Sequence, residues 1–109
     1  MSYGIAASFV PDFFAEAEQY YISRRNDAMW FAATGNDGAE VESYPACLDG
    51  VIGVGATDTT GGVSDFSTFG KVVDLVAPGD NVISTIPLAN TITDDYYTRR
   101  HVQWHSVAE

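Results

Sequence analysis

The stretch Phe31-Ala32-Ala33-Thr34-Gly35-Asn36-Asp37-Gly38 decides the fold class of this chain. The residues from Met29 to Ala33 have little side-chain polarity and predict a buried strand, and residues 34–38 predict a turn that ends it. Asn36 therefore follows closely on a buried strand, where a side-chain amide is held rigidly. Such an amide can donate a hydrogen bond to an oxyanion as negative charge develops on an acyl carbon.

The same residues have a simpler interpretation as a turn. Asn36 and Asp37 are residue types whose side chains hydrogen-bond the local backbone, and Gly38 tolerates a positive φ. Because oxyanion donors and turns use the same residue types, the octapeptide alone leaves both interpretations open. The rest of the chain has to decide between them.

Length, composition and charge exclude several classes of protein. The chain has 109 residues, enough for one modest domain, and its apolar fraction of 46% is typical of a globular protein. The 15 acidic and 5 basic residues give a net charge of −10, which disfavours binding to nucleic acid or to an anionic membrane surface. No apolar run approaches the roughly 20 residues of a membrane-spanning helix. We therefore expect neither nucleic acid nor a membrane as a partner.

The cysteine content and the amino terminus say little about the compartment. Cys47 is the single cysteine, so no internal disulfide forms, and no base near it in the sequence would activate its thiol. No basic segment followed by an apolar stretch opens the chain, so the residues predict no signal peptide within it. The location of the protein stays unknown on this evidence.

Short apolar runs around one helix predict an α/β fold. Residues 11–25 predict a helix whose aromatic face we expect to pack in the core. The runs that predict strands are Met29–Ala33, Val51–Ala56, Val72–Val76 and Asn81–Pro87. Because these runs show little strict alternation, the sheet is expected to be mostly parallel, with flanking helices.

Several further motifs follow one another in a fixed order. Besides Ala32–Gly38 they are Met1–Gly4, Tyr44–Ala46, Val51–Ala56, Phe66–Gly70, Asp74–Gly79 and Ile83–Thr85. Each is weak by itself, but together, in this order and at these short spacings, they resemble the subtilisin-like serine peptidases (subtilases). The resemblance implies that residues 1–87 are part of a subtilase catalytic domain with a three-layer α/β fold. Residues 88–109 then form a loop and an irregular tail.

The resemblance implies roles for the residues around the quoted turn. Asn36 would be the side-chain donor of the oxyanion hole. Ala33, Thr34 and Gly35 would line the pocket for the substrate residue that precedes the scissile bond. Asp37 would lie at the mouth of that pocket.

The resemblance also implies a second wall of the substrate cleft. Ser2, Tyr3 and Gly4 would pair with the substrate backbone, which docks as an added strand. In this family the peptide bond corresponding to Tyr44-Pro45 is often cis, so we expect a cis bond there.

The catalytic triad of the family is only partly matched. Its chain order is Asp, His and Ser, and the first two precede the motif at Met1, so we expect them upstream of this chain. Ser106 occupies the position of the nucleophile, but Trp104-His105 stands where the family has Gly-Thr. We hypothesise that a reading-frame slip across residues 99–105 produced this difference.

Two functions follow as predictions. In the first, the chain is an internal fragment of a serine endopeptidase that hydrolyses peptide bonds by acyl transfer, and is inactive alone because it lacks the Asp and His. The alternative is a non-catalytic module that binds peptides or another subunit through the Ser2–Gly4 edge. Either way the partner is a protein or peptide. No cofactor is expected. The resemblance allows for calcium, but the residues identify no calcium site. It also allows for a secreted or endomembrane location.

Overall fold

The structure, a computed structural model, describes residues 1–83 of the chain. Its elements in chain order are β1 (Ile5–Ala6), a 3-10 turn (Ala7–Phe9), α1 (Asp12–Ser23), β2 (Trp30–Ala33), β3 (Ser43–Tyr44), β4 (Val51–Thr57) and β5 (Leu75–Pro78). The predictions for Ser106, for residues 88–109 and for the domain boundary at residue 87 lie outside the described residues.

The main sheet has three parallel strands in the order β2-β4-β5. The central strand β4 is mostly buried and consists largely of valine, isoleucine, alanine and glycine, as expected of a parallel strand covered on both faces. Ala33, the last residue of β2, pairs with Val54 in the middle of β4. The chain therefore leaves β2 beside the buried part of the sheet, and the predicted α/β class is confirmed.

The strand β5 begins later and ends later than the apolar run Val72–Val76 predicts. The Asp74 carboxylate accepts a hydrogen bond from the Gly53 N–H at 2.7 Å, and the Asp74 N–H donates to the Gly53 carbonyl at 2.8 Å. The carbonyl of Val72 lies so close to Gly53 that a Cβ there would collide with it. These contacts occupy the backbone before Leu75, so the regular ladder with β4 starts only at that residue.

The last predicted strand is not formed at its beginning. Residues 81–83 belong to no strand, and Asn81 has a φ of 57°, in the left-handed region that interrupts extended structure. The remainder of that prediction, residues 84–87, lies outside the described residues.

The helix α1 forms where it is predicted but buries a different side chain. It starts after Pro11. The negative charge of Asp12 in its first turn interacts favourably with the positive end of the helix dipole. Phe13 and Phe14 are 74% and 53% exposed, whereas Ile22 is buried. The prediction of an aromatic core face is therefore wrong for the described residues, because the core reaches α1 at Ile22, near its carboxyl end. None of the helices within residues 1–83 has the length and apolarity to cross a membrane.

The second, smaller sheet connects the amino terminus to the core. Ile5 pairs with Tyr44 and Ala6 with Ser43 in the antiparallel pair β1-β3. The Tyr44-Pro45 peptide bond is cis, as predicted. Tyr44 and Ala46 are buried, so β3 and the residues after it pack against the interior. The strand β1 is held beside the core by its pairing with β3.

Candidate active site

The loop that carries Asn36 begins as an extension of the sheet. Thr34 is buried, and both its N–H and its hydroxyl donate to the carbonyl of Val54, at 3.1 and 3.3 Å. Gly35 then has a φ of 106°, a conformation that residues with a Cβ rarely adopt. The chain thus ends its pairing with β4 abruptly at Gly35, which directs the next residues out of the sheet.

A second segment, Phe66–Thr68, holds this loop in place by hydrogen bonds. The Thr68 N–H donates to the Gly35 carbonyl at 3.1 Å, and the Thr68 hydroxyl accepts from the Asp37 N–H at 3.3 Å. One residue further on, the Gly38 N–H donates to the Phe66 carbonyl at 2.9 Å. Because Thr68 is only 1% exposed, its side of the bonds to Gly35 and Asp37 is shielded from water.

The side chain of Asn36 takes no part in holding the loop. The residue is half-buried, and within residues 1–83 no hydrogen bond joins its amide to another group. The bonds that fix the turn come instead from Thr68 and Phe66. A turn asparagine commonly bonds the local backbone through its side chain, and Asn36 makes no such bond within residues 1–83.

The carboxylate of Asp37 points back toward the supporting segment. Asp37 is exposed, and its Oδ2 lies 3.4 Å from the Thr68 hydroxyl. The same oxygen would be 3.2 Å from a Cβ on Gly35. Asp37 therefore lies beside the residues that are expected to line the pocket, with its carboxylate directed at Thr68.

The segment Ser2–Gly4, which is expected to form the opposite wall of the cleft, is exposed. Before it, Met1 lies alongside β2, where the Ala33 N–H donates to the Met1 carbonyl at 3.2 Å and the Met1 amino group donates to Phe31. After it, β1 pairs with β3. Ser2–Gly4 thus crosses from the end of β2 to β3, starting next to Ala33, and its residues are exposed and belong to no strand.

Tyr3 ties this wall to α1. Its hydroxyl donates to the Glu18 carboxylate at 3.1 Å, although the Tyr3 side chain remains largely exposed. Partial burial and the negative charge of Glu18 raise the pKa of Tyr3, so the phenol keeps its proton and remains a donor at neutral pH. The hydrogen bond limits the freedom of the Ser2–Gly4 segment.

Ser43 is a residue beside the Asn36 loop that the sequence analysis missed. It is 4% exposed, it pairs with Ala6 in β1, and its hydroxyl would lie 3.3 Å from a Cβ on Gly35. Ser43 therefore lies where the loop after β2 and the chain after Gly4 approach each other. The available signal was its place directly before Tyr44-Pro45, a motif that the resemblance had already identified.

A cavity elsewhere in the described residues includes none of these groups. It has a volume of about 560 Å³ and is bordered by residues 40–42, 46–51, 69, 71, 72 and 74. Cys47 lines it, and burial together with the charge of Glu42 raises the pKa of the thiol, which therefore stays protonated and unreactive at neutral pH. Within residues 1–83, no three His, Cys, Asp or Glu side chains are placed to hold a metal ion.

Comparison with known proteins gives the family. The sequence profile of the Subtilase family matches residues 1–106. The chain belongs to the subtilase family. It is 41% identical over 68 residues to the Major intracellular serine protease of Bacillus subtilis (strain 168), covering 58% of this chain and 21% of that protein. It is 50% identical over 56 residues to Subtilisin BL of Lederbergia lenta, covering 51% of this chain and 21% of that protein.

Solved structures of subtilases share the fold. The prenylagaramide maturation protease PagA superposes with a TM-score of 0.68 at 33% identity, covering 80% of this chain and 32% of that chain. The predicted resemblance and the partial subtilisin-like α/β fold are confirmed, and the relatives that the chain matches are serine proteases. The chain spans about a fifth of the length of the curated relatives that it matches.

Proposed function

We propose that residues 1–83 form the oxyanion-binding and substrate-binding side of a subtilase active site, in a serine endopeptidase that cleaves peptide bonds by acyl transfer. The observation that carries this proposal is the Asn36 loop, which is fixed by Thr68 while the Asn36 amide makes no hydrogen bond among the described residues. A donor held in place before the reaction stabilises developing charge without reorganising.

In the proposed reaction, residues 1–83 supply the oxyanion donor, and other parts of the domain supply the nucleophile and the base. A serine, for which we propose Ser106, attacks the scissile carbonyl while a histidine takes its proton. The carbonyl oxygen becomes an oxyanion, to which the Asn36 Nδ2 donates a hydrogen bond. The histidine then protonates the leaving amine, and water releases the acyl group by the same steps in reverse.

Substrate binding uses the two walls of the cleft. The exposed backbone of Ser2, Tyr3 and Gly4 would accept an extended peptide as an added strand. On the other side, the backbone from Ala33 to Gly35 would line the pocket for the residue before the scissile bond. Asp37 at the mouth of this pocket adds negative charge close to the bound side chain.

The partner in this proposal is a protein or a peptide, as in the family. The proposed chemistry draws its nucleophile, base and oxyanion donor from protein side chains and uses no cofactor. Calcium binding, which the family resemblance allows, is not part of this proposal. We still predict that the protein binds neither nucleic acid nor a membrane.

A chimera tests the catalytic proposal directly. Residues 1–83 replace the corresponding segment of Subtilisin BL, whose flanking segments supply the family's Asp, His and Ser. We expect the folded chimera to hydrolyse a peptide substrate. A folded chimera without activity would contradict the proposal, and tight peptide binding by the 109-residue chain would then favour the alternative, a non-catalytic module that binds through Ser2–Gly4.

The 109-residue chain alone is expected to show no peptidase activity. Without the family's Asp and His, oxyanion stabilisation and binding leave a rate several orders of magnitude below that of a full triad. The measurement is hydrolysis of a casein substrate by the purified chain, with Ser106→Ala as the control for contaminating proteases. Hydrolysis that Ser106→Ala abolishes would contradict this expectation.

A further inference from the structure

We infer that Thr68 is a positioning residue for Asn36. By bonding to the two neighbouring residues, Gly35 and Asp37, Thr68 holds the Asn36 amide where the oxyanion of the substrate forms. The inference rests on the function proposed above. Thr68 bonds the residue before Asn36 with its backbone and the residue after it with its side chain. No other described residue bonds to both neighbours of Asn36.

The Thr68 hydroxyl is used both as an acceptor and as a donor. It accepts from the Asp37 N–H at 3.3 Å and lies 3.4 Å from the Asp37 Oδ2, to which it donates. The second bond holds the carboxylate beside Thr68. An unrestrained Asp37 carboxylate would be a strong acceptor next to the Asn36 amide. It would compete with the oxyanion for the hydrogen bond that this amide donates.

The support beneath Thr68 is anchored in the main sheet. The neighbouring Ser67 hydroxyl accepts from the Ala56 N–H of β4 at 2.9 Å and donates to the Thr68 carbonyl at 3.2 Å. Both Ser67 and Thr68 are almost completely buried. Through Thr68, the backbone on either side of Asn36 is thus connected to β4, the central strand of the main sheet.

Rigid support matters here because the residues on either side of Asn36 do little to restrain it by themselves. Gly35 is in a conformation open only to a flexible residue, and Asp37 is exposed. A displacement of about 1 Å in a group that meets the transition state can cost up to about 100-fold in rate. Loss of the Thr68 hydroxyl should therefore lower catalysis without removing any group that contacts the substrate.

The first test compares three variants of the Subtilisin BL chimera. Thr68→Val removes the hydroxyl at nearly constant volume, and we expect kcat to fall about tenfold with KM within about twofold. Thr68→Ser keeps the hydroxyl and should restore kcat to within about threefold of the parent. Ser64→Ala is the matched control, since Ser64 is a nearby buried serine whose hydroxyl makes no hydrogen bond among the described residues; its kcat should change less than twofold.

A double-mutant cycle separates positioning from general destabilisation. If Thr68 acts through Asn36, Thr68→Val has no further effect on kcat once Asn36→Ala is present. An equal loss of kcat in both backgrounds would overturn the inference and leave the proposed function intact. If Asn36→Ala alone leaves kcat unchanged, the proposed function fails, and this inference fails with it.

Hydrogen exchange on the 109-residue chain tests the contact itself without any activity. In Thr68→Val, the Asp37 amide should exchange at least about tenfold faster, while the Ala56 amide in β4 keeps its rate. Equal acceleration at both amides would show a loss of global stability and would overturn the inference, as would an unchanged rate at Asp37.

Discussion

Replacing Asn36 with alanine is expected to lower the kcat of the Subtilisin BL chimera about 100- to 1,000-fold and to leave KM nearly unchanged. The magnitude is taken over from the corresponding asparagine of a subtilisin, where loss of the donor costs roughly 2.7–4 kcal/mol of transition-state stabilisation. KM is spared because the donor meets a negative charge only in the transition state.

The control for this variant is Asn26→Ala. Asn26 is an exposed asparagine in the turn region after α1, and its loss tests what a turn asparagine contributes by itself. We expect its kcat to match that of the parent chimera. If Asn36 served only the turn, Asn36→Ala would behave like Asn26→Ala, lowering thermal stability slightly and leaving kcat unchanged, which would contradict the oxyanion role.

Replacing Gly53 with alanine is expected to destabilise the fold by roughly 3 kcal/mol or more, because a methyl group would be forced into filled space. The new Cβ would collide with the Val72 carbonyl, and backbone cannot rotate away as a side chain can. The shift would also break the two bonds between Gly53 and Asp74, at 2.7 and 2.8 Å. The measurement is the free energy of unfolding of the chimera in urea.

Gly55→Ala is the matched control in the same strand. A Cβ at Gly55 would meet the Ser67 Oγ at 3.1 Å and the Val73 Cγ1 at 3.3 Å, both of them side-chain atoms that can move. We expect the cost to be about 1 kcal/mol, well below that of Gly53→Ala. Equal losses for the two glycines would show that strand flexibility, and not the contact with Val72, sets the cost.

Much of the local structure could be predicted from adjacent residues. The helix after Pro11, the strand before Thr34 and the cis bond at Tyr44-Pro45 all formed where expected. Each depends on the chemistry of a few neighbouring residues: a proline that suits a first helical turn, an apolar run, and a motif with a known backbone form. The family resemblance came from such local motifs, and it was confirmed for the same reason.

The candidate site was predicted only in part. Asn36 and Ser2–Gly4 could be proposed because they belong to contiguous motifs, and their roles stay predictions. Ser43 and the supporting role of Thr68 were missed, because both depend on contacts with the distant Gly35 and Asp37. The position of Ser106 relative to Asn36 stays a prediction.

The sequence by itself determined where the chain turns and which residues bear the family's chemistry, because turn residues, apolar runs and motifs act over a few neighbouring positions. Only the tertiary structure decided where β5 begins, which helix side chain is buried, and what holds the Asn36 loop. Those outcomes depend on pairs such as Gly53 with Asp74 and Asp37 with Thr68, which are 21 and 31 positions apart. Hydrogen bonds over such separations form only when the sheet has brought the two segments together.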